Sequence, residues 1–180
     1  TQFFFETLAL NGLNDIAYNA MNQEDFPSFG NWIKQGATVT WEKWNGADSR
    51  NHPMFGGGLT WFYRILAGVN VDAERPAYEH IIIKPILDKR LPEVYYSHMT
   101  PYGEVVSEIR QTGRNLEMNV TVPVGSTATI YIPVGGNTSE VTESGISVRD
   151  SKDVRFERIQ DGNCIVRVPQ GKYKFKVDNQ

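Results

Sequence analysis

The feature that most constrains this chain's fold is a change in the spacing of its apolar residues near Pro76. Before Pro76 the apolar residues recur every three or four positions, as in "LTWFYRILAGV", and this spacing predicts amphipathic helices. After Pro76 apolar and polar residues alternate, as in "TATIYIP" and "KYKFKV", and this spacing predicts β-strands. Because the helical and strand patterns occupy separate segments, the chain is predicted to have an α+β fold.

The strand segments after Pro76 are separated by turn sequences such as "TGRN", "QDGN" and "PQG". They recur about every ten residues with no helical pattern between them, which is typical of an antiparallel β-sandwich. We therefore expect a short helical N-terminal piece over residues 1–70, a linker over 71–77 and the β-sandwich over 78–180.

The helical segment carries more aromatic surface than a small bundle hides. It opens with "FFF" and adds Phe26 and Phe29. Short helices bury only part of such a surface, so further helices or a second copy must cover the rest. The sequence also begins without methionine, inside an apolar pattern. We therefore expect a fragment of a longer protein, and we expect this fragment to self-associate when it is isolated.

Composition and charge exclude several classes of partner. The formal net charge of −3 provides no basic surface for nucleic acid. No apolar run approaches the roughly 20 residues that span a bilayer, so no membrane association is expected. His52, His80 and His98 are far apart in sequence, and Cys164 stands alone in an alternating strand pattern. We therefore expect no metal site, no cofactor and no disulfide, and we expect a buried, unreactive thiol.

Three stretches of the helical half and its border resemble one family. The sequences "EDFPSFGNWIKQGATVTWEKWNG", "SRNHPMFGGGLTWFYRILAGV" and "YEHIIIKP" resemble the end of the catalytic domain of bacterial α-L-rhamnosidases, glycoside hydrolase family 78. The stretch "MTPYGEVVSEIRQTGRNLEMNVTVPVGSTATIYIP" resembles the C-terminal β-sandwich of the same enzymes. The resemblance is densest from Glu24 to Pro133 and fades after Gly145.

The resemblance implies both an architecture and a reaction. In that family the catalytic domain is an (α/α)₆ barrel, which hydrolyses a terminal α-L-rhamnosyl group with inversion. The chain would supply the last helices of the barrel and the C-terminal sandwich, and the rest of the barrel would lie upstream. The implied substrates are rhamnose-containing glycans or glycosides. The family's general acid also lies upstream, so this fragment is expected to be an inactive part of a glycosidase.

The implied general base is Glu42, which matches the glutamate of the family's Trp-Glu motif. Its neighbours Trp41 and Trp44 suit this role, because tryptophan faces pack against sugar C–H surfaces and keep a site partly dry. We therefore predict Glu42 as catalytic and Trp41 and Trp44 as substrate-binding. The alternative from the residues alone is a solvated loop glutamate beside two core tryptophans.

Three further residues are predicted to bind substrate through the resemblance. His52 matches the histidine of an Asn-His motif that lines the sugar pocket, and its imidazole can both donate and accept hydrogen bonds. Asp25 and Trp32 match residues near that pocket. The alternatives are that His52 caps backbone groups and that Asp25 caps the third helix. Arg50 and Asp48 are expected to form a loop ion pair, to be solvated or to contact substrate.

Two other functional interpretations remain open at the level of sequence. The β-sandwich could be a carbohydrate-binding or structural module beside which the Trp-Glu loop is incidental. The chain could also be lectin-like, with sugar contacts and no chemistry. The compartment is likewise open, because such bacterial enzymes occur in the periplasm, outside the cell and in the cytoplasm.

Overall fold

The computed structural model describes residues 3–135 and 140–178, and it separates into two compact units, Thr1–Ile65 and Leu66–Gln180. The first unit is helical, whereas the second contains two β-sheets. This arrangement confirms the predicted α+β fold, a short helical piece followed by a β-sandwich. The predicted boundaries at residues 70 and 78 stay a prediction. None of the helices within the described ranges has the length and apolar character that crossing a bilayer requires.

The helices of the first unit are short. They are α1 (Phe4–Leu10), α2 (Asn14–Met21), α3 (Phe29–Lys34), a 3₁₀ turn (Pro53–Gly56), α4 (Gly57–Thr60) and a π-helical turn (Trp61–Leu66). Helix α3 begins where the Ser28 side chain accepts a hydrogen bond of 2.9 Å from the Asn31 amide. Ser28, and not Asp25, is therefore the residue that caps the third helix.

The last helical segment differs from the single regular helix that the sequence predicts. A helical turn over Gly57–Thr60 passes directly into the π-helical turn. Trp61, at the junction, is 1% exposed, and its indole N–H donates to Asn14 Oδ1 over 2.9 Å. Gly68 ends the segment, with φ of +75°, and a Cβ there would lie 2.3 Å from the Pro85 nitrogen. Only glycine fits this position.

Eleven strands form the described part of the second unit's two sheets. They are β1 (Val69–Val71), β2 (His80–Ile83), β3 (Glu93–Thr100), β4 (Gly103–Thr112), β5 (Asn115–Val122), β6 (Thr127–Pro133), β7 (Glu140–Glu143), β8 (Ile146–Ser147), β9 (Arg155–Gln160), β10 (Asn163–Val168) and β11 (Gly171–Asp178). One sheet has the order β1-β2-β6-β10-β9, and the other has the order β3-β4-β5-β11-β7-β8. Described pairings are antiparallel except that of β2 with β6, which is parallel.

On several strands of the second unit, every second residue is buried in the core. On β4, Val105, Ser107 and Ile109 are buried, while the residues between them are more exposed. The buried Ser107 hydroxyl is satisfied by the Ala67 carbonyl at 2.8 Å. Cys164 is 1% exposed, and burial raises the pKa of its thiol to about 11. The prediction of a buried strand thiol is therefore confirmed, and a raised thiol pKa disfavours the reactive thiolate.

Candidate active site

The candidate site is a loop, residues 40–52, that pairs with itself. The His52 amide donates to the Thr40 carbonyl over 2.8 Å, and the Glu42 amide donates to the Ser49 carbonyl over 2.8 Å. The Thr40 hydroxyl adds a bond of 2.6 Å to the His52 carbonyl. These hydrogen bonds bring the predicted base Glu42 and the predicted sugar ligand His52 to one place, although they lie ten positions apart.

Glu42 and His52 face each other without a direct hydrogen bond. Glu42 Oε2 lies 3.9 Å from His52 Nδ1, and the two side chains are 38% and 35% exposed. The Ser49 amide donates to Glu42 Oε2 over 3.2 Å, which fixes one carboxylate oxygen. The carboxylate therefore keeps accepting capacity for a water molecule or a sugar hydroxyl.

An aromatic cluster lies beside this loop. The Trp32 and Trp44 rings are 4.4 Å apart, and the Trp32 indole N–H donates to the Trp44 carbonyl over 2.9 Å. Trp41 lies 5.7 Å from Trp32, while Phe55 and Phe29 contact Trp44 at 4.7 and 5.4 Å. Edge-on and tilted contacts of this kind are favourable between aromatic rings. The cluster therefore holds both ends of the Trp-Glu-Lys-Trp sequence.

The predicted substrate-binding residues occupy different environments. Trp32 and Trp41 are 2% and 4% exposed, whereas Trp44 is half-buried. Asp25 lies in the exposed turn before α3, beside the Glu24–Lys34 ion pair. Glu24, with a smaller contribution from Asp25, raises the pKa of Lys34. Sugar contacts by these residues stay predictions.

The loop tip corrects one expectation from the sequence. Asp48 forms its ion pair with Lys43 and not with Arg50. The Arg50 guanidinium instead lies 4.8 Å above the Trp41 ring, and its Nε–H donates to the Gly46 carbonyl over 3.0 Å. The sequence signal for this turn is Asn45-Gly46, a common turn dipeptide. The contact between Arg50 and Trp41 has no local sequence signal, because it depends on how the loop closes.

No group of three or more metal-ligating side chains occurs within residues 3–135 and 140–178. The loop presents a half-exposed carboxylate, Glu42, with the His52 imidazole beside it. The aromatic cluster packs against the same loop.

Comparison with known proteins assigns both halves of the chain. Residues 1–66 match the model of the bacterial α-L-rhamnosidase six-hairpin glycosidase domain. Residues 68–147 match the model of the bacterial α-L-rhamnosidase C-terminal domain. The two matches follow each other in the order that the sequence resemblance predicts.

Individual relatives match nearly the whole chain. An α-L-rhamnosidase of Formosa agariphila is 28% identical over 98% of this chain, and the chain covers 20% of that protein. The structure of an α-L-rhamnosidase from Dictyoglumus thermophilum has a TM-score of 0.85 and 32% identity over 99% of this chain and 20% of its own. That of Streptomyces avermitilis α-L-rhamnosidase complexed with L-rhamnose has a TM-score of 0.85 and 25% identity over 99% of this chain and 17% of its own.

The chain thus spans about a fifth of the length of these relatives. Two family models match consecutive segments of the chain, and the solved structures match it over almost every residue. These matches point to the same family as the Trp-Glu and Asn-His motifs. This chain belongs to the bacterial α-L-rhamnosidase family.

Proposed function

We propose that this chain is the C-terminal part of an inverting α-L-rhamnosidase, in which Glu42 is the general base. The observation that carries the proposal is the Glu42 carboxylate, which is half-exposed, hydrogen-bonded to the Ser49 amide and placed beside His52. A general base needs an accessible oxygen and a fixed orientation, and this loop supplies both. The substrates are glycans or glycosides with terminal α-L-rhamnosyl groups.

The proposed mechanism uses two carboxyl groups on opposite faces of the sugar. In inverting glycosidases these groups stand about 6.5–9.5 Å apart, which leaves room for a water molecule beside the base. Glu42 accepts a proton from this water as the water attacks the anomeric carbon. A carboxylic acid outside this chain protonates the departing glycosidic oxygen. The product sugar then has the opposite anomeric configuration from the substrate.

His52 and Trp44 have supporting roles in this proposal. The His52 ring lies 3.9 Å from Glu42 Oε2, a separation that a sugar hydroxyl or a water molecule can bridge. Trp44 is half-buried and therefore has surface left for the sugar's C–H face. Trp32 and Trp41 are buried, and their main proposed role is to hold the loop.

The direct test is Glu42→Gln in the longer protein, assayed with an aryl α-L-rhamnoside. The amide is nearly isosteric with the carboxylate but cannot accept a proton from water. We expect kcat to fall by about 10²- to 10⁴-fold, with a much smaller change in KM.

The matched control is Glu104→Gln, which makes the same chemical change at an exposed position on β4. This variant should retain wild-type kinetics. If Glu42→Gln keeps a near-normal kcat, Glu42 is not the base, and the alternative of a non-catalytic carbohydrate-binding or structural module gains support.

A further inference from the structure

Arg50 is a loop residue to which the proposed mechanism gives no role. Its guanidinium carbon lies 4.8 Å from the Trp41 ring centre, and its Nε–H donates to the Gly46 carbonyl over 3.0 Å. The ion pair at the loop tip is formed by Lys43 with Asp48. Arg50 therefore connects the loop tip at Gly46 with the buried anchor Trp41.

The contact between Arg50 and Trp41 lies beside the hydrogen bonds that join Ser49 to Glu42. Ser49 holds Glu42 twice, because its carbonyl accepts the Glu42 amide at 2.8 Å and its amide donates to Glu42 Oε2 at 3.2 Å. Arg50 follows Ser49, and Trp41 precedes Glu42. The contact between Arg50 and Trp41 therefore lies next to the hydrogen bonds that orient the carboxylate.

The loop tip at Gly46 packs tightly against the Trp41 ring. Gly46 has φ of +74°, and a Cβ at this position would lie 2.8 Å from Trp41 Cζ3. The backbone of Gly46 thus rests against the same ring that Arg50 covers. Trp41 in turn contacts Trp32, at 5.7 Å between ring centres. The loop tip, the arginine and the aromatic cluster form one connected unit.

We propose that Arg50 is a positioning residue for Glu42, and this inference rests on the proposed function. The planar guanidinium can stack on an aromatic face while an N–H in its own plane donates to a carbonyl. A lysine ammonium can lie over the ring but has no planar group to hold both contacts together. Arg50 thereby fixes residues 46–50 on Trp41, and Ser49 transmits that order to the carboxylate.

The first test measures order in the loop without any activity. Hydrogen–deuterium exchange, followed by mass spectrometry, compares Arg50→Ala with the unaltered protein on peptides covering residues 40–52. We expect the amides in this segment to exchange about tenfold faster in the variant. Peptides from α1 and α2 should be unchanged, which establishes that the helical unit of the variant is folded. Unchanged exchange in the loop would overturn the proposal.

The second test asks whether Arg50 acts through Glu42. In the longer protein, Arg50→Ala should lower kcat by about 10- to 100-fold with little change in KM, because small misplacements of a catalytic group have effects of this size. Arg50→Lys should recover part of the loss. Arg158→Ala, which removes an exposed arginine of β9, should have no effect.

The double variant separates positioning from direct substrate contact. If Arg50 acts through the carboxylate, adding Arg50→Ala to Glu42→Gln should cost less than about threefold. The same 10- to 100-fold loss in both backgrounds would show an independent role and overturn the proposal. Normal turnover by Glu42→Gln alone would instead refute the proposed function, and the exchange experiment would still decide whether Arg50 orders the loop.

Discussion

Trp41 and Glu42 are neighbours in the sequence but have opposite exposures. Trp41 is 4% exposed and packs in the aromatic cluster, whereas the Glu42 side chain is 38% exposed. Trp41 is anchored in the cluster and the Ser49 amide donates to Glu42 Oε2, so the adjacent Glu42 is held at the accessible side of the loop. In the Trp-Glu sequence, the tryptophan therefore anchors the loop and the glutamate that follows it stays accessible.

The sequence could predict which residues form this site, but only part of how they are arranged. The motifs identified Glu42 and His52 together, and the structure places them 3.9 Å apart. Asp48 was expected to pair with Arg50, to be solvated or to contact substrate, and its ion pair is formed with Lys43. Ion pairs and cation–π contacts within a loop depend on its closed shape, which no periodic pattern encodes.

His80 is a buried polar residue that the sequence did not single out as structural. It is 4% exposed, and its two ring nitrogens lie 2.7 Å from Thr127 Oγ1 and 2.8 Å from Thr129 Oγ1. Burial lowers the pKa of His80, and Arg75 lowers it further, with Asp72 opposing this effect. Arg167 contributes in the same direction as Arg75. His80 is therefore neutral in the folded protein at neutral pH.

This environment predicts that the sandwich loses stability in mild acid. In the unfolded chain His80 binds a proton as the pH falls through about 6.5, whereas in the folded state its lowered pKa resists protonation. The free energy of unfolding should therefore decrease as the pH falls from 7.5 to 5. Urea unfolding at the two pH values, followed by the circular dichroism of the strands, measures this decrease.

His80→Gln is the appropriate comparison, because the amide can still hydrogen-bond but does not titrate. The decrease between pH 7.5 and pH 5 should be smaller in this variant, whatever its absolute stability. An equal decrease in both proteins would assign the pH dependence to other groups.

At the level of elements, strands were easier to predict than helices. Several strands of the sandwich carry their own alternation, as β4, β6 and β11 do, and alternation does not depend on the pairing partner. The parallel pairing of β2 with β6 was not predictable in this way, because it joins segments far apart in sequence. The π-helical turn at Trp61–Leu66 was also missed, since its residues have the spacing of an ordinary helix.

The site loop, as an element, depends on glycine at position 46. An alanine there has to adopt φ of +74° and to place its Cβ 2.8 Å from the buried Trp41 ring. We expect Gly46→Ala to lower the free energy of unfolding of the helical unit by about 2–3 kcal/mol. Tryptophan fluorescence during urea unfolding measures this unit alone, because all 4 tryptophans precede residue 65.

Gly36→Ala provides the control for backbone strain without steric overlap. Gly36 also has positive φ, at +79°, but a Cβ there would meet nothing within 4 Å. Its substitution should lower the free energy of unfolding by only about 1 kcal/mol. Equal effects at positions 36 and 46 would mean that the packing of Gly46 on Trp41 does not stabilise the loop.

At the scale of the whole chain, the helical unit leaves a large apolar surface uncovered. Of the phenylalanines expected to be exposed, Phe3, Phe4 and Phe26 are exposed, Phe29 is partly buried and Phe5 is 3% exposed. Aliphatic side chains that are at least half exposed add to this surface, namely Leu10, Ile16, Ile33 and Leu59. Soluble monomers rarely expose so many large apolar groups on one small unit.

We predict that the 180-residue chain self-associates when it is isolated and does not hydrolyse rhamnosides. Self-association would cover the apolar surface, and without the general acid that we propose lies outside this chain the rate would fall by about 10²- to 10⁴-fold. Sedimentation velocity over a range of concentrations, with an aryl-rhamnoside assay of the same samples, tests both expectations. A monodisperse monomer with clear turnover would mean that the second catalytic carboxyl group lies within this chain.

The most direct test of the central claim uses the longer protein carrying Glu42→Gln in the presence of azide. Azide is a small anionic nucleophile that needs no base, so it can take the place of the water that Glu42 would activate. We expect azide to restore part of the turnover of an α-L-rhamnoside and NMR to identify the product as β-L-rhamnosyl azide. An α-configured azide, or rates unaffected by azide, would contradict the assignment of Glu42 as the base of an inverting reaction.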